Sequence, residues 1–473
     1  METLPQNTEL LERALKCWHE LQSFRDTRER CKRFTYGDQW NDTIEDRGLQ
    51  MTEEEFIRSQ GNFPLKNNLI RRLVRNVLGV FRNSYSTPLV NDDDLAGLDF
   101  FDKLPSELAA MRLKEINQKL KRSARLNRLD ELYARTMEEF LISGLAVHKK
   151  WHGRREGRVA CWTDNVSPTR FFFDTDSRDF RGFDLCLVGE IHELTPDDLL
   201  GWKRCKAVDA FRDRASKTPT SGDARFRVIE VWQRRRAAVL HCHDYSTGRF
   251  FKADPVEADR LRSRHGDTLA MSRAVDEWWE YSFLTPDGVV LDSGRSPYAH
   301  GSHPYAFKAY PFIDGEIHSF VADIIDQQKL TNRLISMYDW ILRASAKGVL
   351  LFPEGALPEG TDINDIADEW SRFNGVIVYR PRAGVPLPQQ VSSKSADIGI
   401  TELLEIQMKM MEDISGVNGA LQGKLESGTI SGTLYSQQTQ NSMTALADLL
   451  ASFADFMQQA TLKETKLLSN FEF

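Results

Sequence analysis

The carboxyl-terminal third constrains the fold most, because helix-forming and strand-forming stretches alternate there in an unusual order. Residues 316–346 read as one helical run, ~46 Å long at 1.5 Å per residue. A compact insertion follows from Gly348 to about Ser395. It holds Val349–Phe352 and Val376–Tyr379 as strands and a capped helix between Asp362 and Phe373. Residues 396–414 return to helix, 415–432 are rich in Gly, Ser and Thr, and a long helical run extends from Thr433 to about Leu468. In that run Met443, Leu446, Leu450, Phe453, Met457, Ala460 and Leu467 alternate three- and four-residue steps, a coiled-coil-like seam that calls for a partner helix. Two long helices joined through a small β-containing module form a hairpin-like stem.

Upstream, residues 9–34 place Leu10, Leu11, Ala14, Leu15, Trp18 and Leu21 near a 3.6-residue period, predicting one helix that Gly37 breaks. Asn67 and Asn68 predict the cap of a second helix with Ile70, Leu73, Val74 and Val77 on one side. Ser106 predicts the N-cap of a third, continuous to about Ile142. Its basic middle (Lys119, Lys121, Arg122, Arg125, Arg128) is interleaved with acids, so a solvated face is a simpler reading than a nucleic-acid surface. From Gly144 the texture turns to short β-branched and aromatic runs at 145–151, 158–162, 170–173, 185–191, 226–232, 237–243 and 278–284. The fold class is α+β, predominantly helical, with an antiparallel sheet in the middle of the chain.

A length of 473 residues implies several modules rather than one core. The formal charge of −7 is unevenly spread: from Glu316 onward 12 Lys and Arg face 20 Asp and Glu, and the first 315 residues are near neutral. An acidic total argues against a protein that grips nucleic acid over its whole surface. No apolar run reaches membrane-spanning length. The six cysteines lack C-x-x-C pairing, which fits free thiols in a reducing compartment.

Catalytic templates are missing. Gly423-Lys424 lacks the spacing and hydroxyl of a phosphate-binding loop, and no G-x-G-x-x-G, H-E-x-x-H or G-x-S-x-G element occurs. His241-Cys242-His243 offers zinc-type ligands, but on a strand only 241 and 243 share a face, so His148, His192 or Cys205 would have to complete a site. A half-exposed sheet face is the favoured reading. The acidic loop at 91–94 lacks the spacing of a calcium site.

Several segments, in this order, resemble the portal proteins of tailed bacteriophages, nearest to the short-tailed-phage type. They are Arg33-Phe-Thr-Tyr-Gly-Asp-Gln-Trp40, the stretch from Asn67 to Gly79, Leu141-Ile-Ser-Gly-Leu-Ala-Val147 and Val166-Ser-Pro-Thr-Arg-Phe-Phe-Phe-Asp174 with Arg181-Gly-Phe-Asp184. Val228–Trp232, His303-Pro-Tyr305, Ile324–Asn332 and Ile414–Gly423 followed by Ser431-Gly432 continue the series.

The resemblance implies a non-enzymatic structural protein without cofactor or metal, assembled in the host cytoplasm into a dodecameric ring at the capsid portal vertex of the virion. It implies residues 1–315 as wing (helical 1–143, β-rich 144–315), 316–347 as first stem helix and 348–395 as clip. It further implies 396–414 as second stem helix, 415–432 as tunnel loop, and 433–473 as a spine helix toward a minimal or missing crown. Double-stranded DNA would pass through the channel. The terminase large subunit, head-to-tail adaptors, major capsid protein and scaffolding protein are the implied partners, and no membrane is involved. Lys329, Arg333 and Lys409 on the stem, with Lys424, Ser427, Thr429 and Ser431 in the loop, are the candidate DNA-facing residues. Asp362, Asp365, Glu369 and Arg372 are the candidate clip contacts. The alternatives are another viral head or head-to-tail adaptor protein, or a metal-dependent hydrolase or nuclease.

Overall fold

The computed structural model describes residues 5–95, 105–179, 181–195, 198, 206–217, 225–245, 247–265, 269–298, 300–347, 349–353, 356–357, 360–371, 376–381, 384–391, 399–417 and 440–469. Helices and strands are mixed throughout, an α+β chain that divides into two compact units. The first comprises Met1–Tyr36, Ile70–Asp323 and Ser415–Phe473, the second Gly37–Leu69 and Ile324–Ile414.

The amino-terminal helices are α1 (Thr8–Glu20), α2 (Gln22–Tyr36), α3 (Glu53–Ser59), α4 (Leu69–Ser84), the short α5 (Asp92–Leu95), α6 (Ser106–Asn127) and α7 (Leu129–Ser143), with the hairpin β1 (Thr43–Asp46) and β2 (Leu49–Thr52) before α3. Two runs expected as single helices are each divided. The first splits at Leu21. The second splits at Arg128, which adopts a left-handed conformation (φ 50°, ψ 50°), while the Asn127 amide bonds the backbone of Cys161 and Thr163 and fixes the break against a strand. Ser106 is the first helical residue rather than the cap; Pro105 precedes it and no side chain caps the end.

The middle of the chain supplies β3 (Leu145–Arg155), β4 (Arg158–Asn165), β5 (Phe171–Phe173), β6 (Leu187–Leu194), α8 (Lys206–Lys217), β7 (Phe226–Asp244), β8 (Arg249–Ala253), α9 (Pro255–His265), β9 (Leu269–Leu284), β10 (Val290–Arg295) and β11 (Tyr305–Ala309). One antiparallel sheet runs β10-β9-β7-β6-β5 with β8 on β7, and a second runs β11-β3-β4. Leu10, Leu11, Ala14 and Cys17 of α1 pack with Phe171–Phe173, Val188, Val231 and Tyr305 into the main core. The two strands expected at 226–232 and 237–243 are one. β7 continues through Arg234-Arg235-Arg236 because β9 pairs along its length and sets Glu277 and Glu280 against these arginines, with Arg236 to Glu277 at 2.8 Å and Arg235 to Glu280 at 3.3 Å.

The final elements are β12 (Phe312–Ile313), β13 (Glu316–Ile317), α10 (Ile325–Lys347), β14 (Val349–Leu351), α11 (Ile363–Ser371), β15 (Gln389–Val391), α12 (Ile400–Ser415) and α13 (Ala447–Ser469). The helical run expected from Glu316 starts instead at Ile325. Asp314 and Gly315 both have positive φ and close a two-residue hairpin that places Glu316 in a strand. The expected strand at 376–379 is irregular: the Val376 N–H donates to the Glu369 carboxylate, and β14 pairs with Gln389–Val391.

α13 packs in the first unit against β3, β11 and α6. Phe453, Phe456, Ala460 and Leu467 are buried there, so its apolar seam is covered by a sheet and a helix of its own chain rather than by a partner coil. Lys150 on β3, fully buried, pairs with the buried Glu464 of α13 and donates to Thr163 Oγ1 at 2.7 Å.

Candidate functional sites

In the second unit α10 presents a stripe of amides and a hydroxyl to an extended strap. Gln328, Asn332 and Ser336 lie four residues apart, a rise of ~6 Å per step. The strap residues Leu65, Asn67 and Leu69 lie two apart, ~6.6 Å for an extended step, with Leu69 N–H also turned back on Asn67 O (2.9 Å) where α4 begins. The spacings are close enough for the side chains to pair antiparallel with the strap backbone. Leu65 N–H donates to Ser336 Oγ (3.0 Å), Asn67 N–H to Asn332 Oδ1 (3.0 Å) and Leu69 N–H to Gln328 Oε1 (2.9 Å). Gln328 Nε2 returns a bond to Asn67 O (2.7 Å), and Asn332 Nδ2 donates to Gln39 Oε1 (2.7 Å). The helix thus serves as a ladder edge, and that is why residues 37–69 belong with α10 rather than with the amino-terminal helices. Asn332→Ala removes the acceptor of the Asn67 N–H and the donor to Gln39 Oε1, and is expected to cost about 1–3 kcal/mol. Hydrogen exchange is the check: protection should fall selectively at amides 65 to 69.

The candidate DNA-facing cations fall into two groups. Lys329 is largely buried and neutralised, at 2.7 Å from Glu53 and 3.0 Å from Asp42. Arg333 reaches the same Glu53 oxygen at 2.9 Å but remains more than half exposed. Lys409 on α12 is exposed. Lys424, Ser427, Thr429 and Ser431 lie outside the described residues, as does Arg372. Asp362 caps α11, accepting from Ile363 N–H at 2.7 Å, and its own N–H donates to Asp365 (3.0 Å). Asp362 and Asp365 are exposed, whereas Glu369 is partly buried and holds Val376.

His241 and His243 share a face of β7, with Cys242 buried on the other. The His243 ring stacks on Phe250 at 3.8 Å, a packing role. A different set of groups does converge. Glu190 on β6 and Glu230 on β7 are direct cross-strand partners, and His192 lies two residues along β6 on the same face. His192 Nε2 is 2.7 Å from Glu230 Oε2 and 3.8 Å from Glu190 Oε2. Lys149 from β3 bonds Glu230 and stands 3.8 Å from Glu190. The Trp232 N–H donates to the other Glu230 oxygen (2.8 Å), and the Tyr305 hydroxyl to Glu190 (3.3 Å). The group lines a cavity of about 500 Å³. Burial raises Glu230, but Lys149 and His192 outweigh it and hold the carboxyl well below its usual range; burial lifts Glu190 above its own. Among the described residues this is the one His/Cys/Asp/Glu cluster with metal-compatible spacing. Sequence reasoning named His192 but not its carboxylates, because the register that joins residues 190 and 230 cannot be read from spacing.

The architecture mixes helices with antiparallel sheets. A family model, Phage P22-like portal protein, matches residues 11–471. The chain belongs to that family of tailed-phage portal proteins, a structural and not an enzymatic family. No curated protein matches it. Among the described residues no helix is long and apolar enough to cross a membrane.

Proposed function

We propose that this chain builds a closed ring of identical subunits at one capsid vertex, and that double-stranded DNA passes through its central channel during packaging and ejection. The observation that carries this reading is the apolar stripe on α12. Leu403, Ile406, Met410 and Ile414 recur at three- and four-residue steps, and all four are exposed in the single chain. α10 adds exposed Leu330, Met337, Tyr338 and Trp340. Such faces mark interaction surfaces. A neighbouring copy that covers them through a different patch makes a heterologous contact, which closes into a ring when its rotation does.

On this reading α10 and α12 are the stem, residues 348–395 the clip, 415–432 the tunnel loop, α13 the spine, and the first 315 residues mainly the wing. The clip, through Asp362, Asp365, Glu369 and Arg372, meets the terminase motor during packaging and head-to-tail adaptors afterwards. Arg333, Lys409 and the loop residues Lys424, Ser427, Thr429 and Ser431 contact the DNA backbone. Lys329 holds Asp42 and Glu53 instead. An acidic wall with isolated cations and hydroxyls contains a polyanion without arresting it, as a uniformly basic wall would.

Electron-microscope class averages of the purified protein test the ring. Closed rings with a central hole are expected, and Ile406→Asp with Met410→Asp should shift most of the population to monomers while leaving the circular-dichroism spectrum unchanged. Wild-type protein that stays monomeric at high concentration, or rings indifferent to both substitutions, would overturn the assignment.

A further inference from the structure

Two carboxylates set directly opposite each other on neighbouring strands repel, and burial strengthens the repulsion. Glu190 and Glu230 are such a pair, the second almost fully buried. The chain answers their two negative charges with the single ammonium of Lys149, so the site carries a net −1 when His192 is neutral. What it lacks is one further positive charge, and what it holds in reserve is an imidazole nitrogen among the carboxylate oxygens, the three ligand atoms all within 4.8 Å of one another.

We propose that Glu190, His192 and Glu230 form a site for a divalent transition-metal ion, which enters from the adjoining cavity and replaces the Lys149 ammonium between the two carboxylates. A dication against two carboxylates makes the site neutral. One imidazole and two carboxylates suit zinc, cobalt or manganese rather than calcium, which takes six or more oxygens. Ligands of a metal bonded at ~2.1 Å stand roughly 3–3.5 Å apart; the His192 separations of 2.7 and 3.8 Å need shifts of about half an ångström, and the two carboxylates, within 4.8 Å of each other, must close by up to ~1.3 Å. The surroundings are arranged as a second shell would be. Trp232 donates to the outer Glu230 oxygen and leaves Oε2 facing the site, and Tyr305 steadies Glu190. The remaining coordination positions open on the cavity, which is also lined by Asp164, a carboxylate already paired with Arg155 and already acting on the Lys149 amine.

The test is a cobalt titration of metal-stripped full-length protein followed by visible absorption, with zinc as competitor. One equivalent should bind saturably. Glu190→Gln and His192→Gln, both at positions with some solvent exposure, should each weaken binding at least tenfold, and Lys149→Met should tighten it about tenfold by removing the internal competitor. The double variant His241→Ala with His243→Ala should bind as wild type does. Thermal unfolding of each variant in the absence of metal confirms that it is folded. The proposal falls if neither wild type nor Lys149→Met binds, or if binding survives Glu190→Gln and His192→Gln. It falls equally if the ion is lost with His241 and His243. In those cases the cluster is a lysine-bridged ion pair alone.

Discussion

Glu464→Ala is expected to destabilise the first unit by about 3–5 kcal/mol, the usual consequence of removing one member of a buried pair. Lys150 is fully buried on β3, with Glu464 and Thr163 as its partners. Burial alone would lower its amine, yet Glu464 outweighs burial and holds it above its ordinary value. Without the carboxylate, burial acts against only the smaller upward pull of Tyr133 and Cys161, and the amine is expected to fall below the unfolded value of ~10.4. The two proteins should therefore respond to pH with opposite signs. In wild type the folded amine is the stronger base, so its contribution is fully present below the unfolded value and is lost only as pH rises above it. In Glu464→Ala the unfolded chain binds the proton more tightly, so stability rises with pH until the unfolded amine titrates. Urea midpoints from pH 7 to 10 check this; a variant whose deficit stays constant over that range contradicts it. The double replacement Lys150→Met with Glu464→Leu leaves no stranded charge and should return close to wild-type stability.

That pair also shows where sequence stops being informative. The apolar seam of the last helix is legible in the positions of Phe453, Ala460 and Leu467, all buried, with Leu446 buried at the turn just before it. Its cover is not legible: a seam states that a face is apolar, and the sheet of β11, β3 and β4 satisfies it as well as a coil. Lys150, in the run Val147-His-Lys-Lys-Trp151, reads as a surface charge until Glu464 arrives from 314 residues away. Helix existence was readable from periodicity, but helix ends were not, because Arg128, Asp314 and Gly315 act through positive φ that their neighbours impose. Val376–Tyr379 looked like a strand because propensity scores side chains, whereas a strand also needs a partner backbone, and that backbone pairs elsewhere. Of the candidate residues, Lys329 and Arg333 were correctly placed on a helix, but Glu53 and Asp42, which hold their charges, lie nearly 300 residues away. The carboxylate pair at 190 and 230 is brought together by the register of β6 on β7, which spacing alone does not reveal.

Gly144→Ala should be the most damaging single methyl that this chain can receive at the junction of α7 and β3. Gly144 has φ +79° and is the left-handed cap of α7, its N–H bonded to Phe140 O at 2.8 Å and its carbonyl accepting from Tyr310 N–H at 2.9 Å. An added Cβ would sit 1.8 Å from the His318 carbonyl oxygen and 2.9 Å from an Ile317 methyl. The first obstacle is backbone, so no side-chain rotamer relieves it. Moving the 317–318 segment would also disturb the bonds from Ser319 to Ile142 O (2.7 Å) and from Val321 N–H to Leu141 O (3.2 Å). Gly157, at the β3–β4 turn, separates strain from overlap, since it has the same φ of +79° and nothing within 4 Å of its own added Cβ. Gly157→Ala should cost only the left-handed strain of about 1 kcal/mol. Gly144→Ala should exceed about 4 kcal/mol, in the range reserved for steric overlap within a core, and should fail to give soluble folded protein at temperatures where Gly157→Ala is intact. Denaturation midpoints for the two variants decide the matter. Equal losses would mean that the close approach of His318 to Gly144 does not exist in solution, and that the glycine in the Ile142-Ser-Gly-Leu145 stretch serves only its backbone angle.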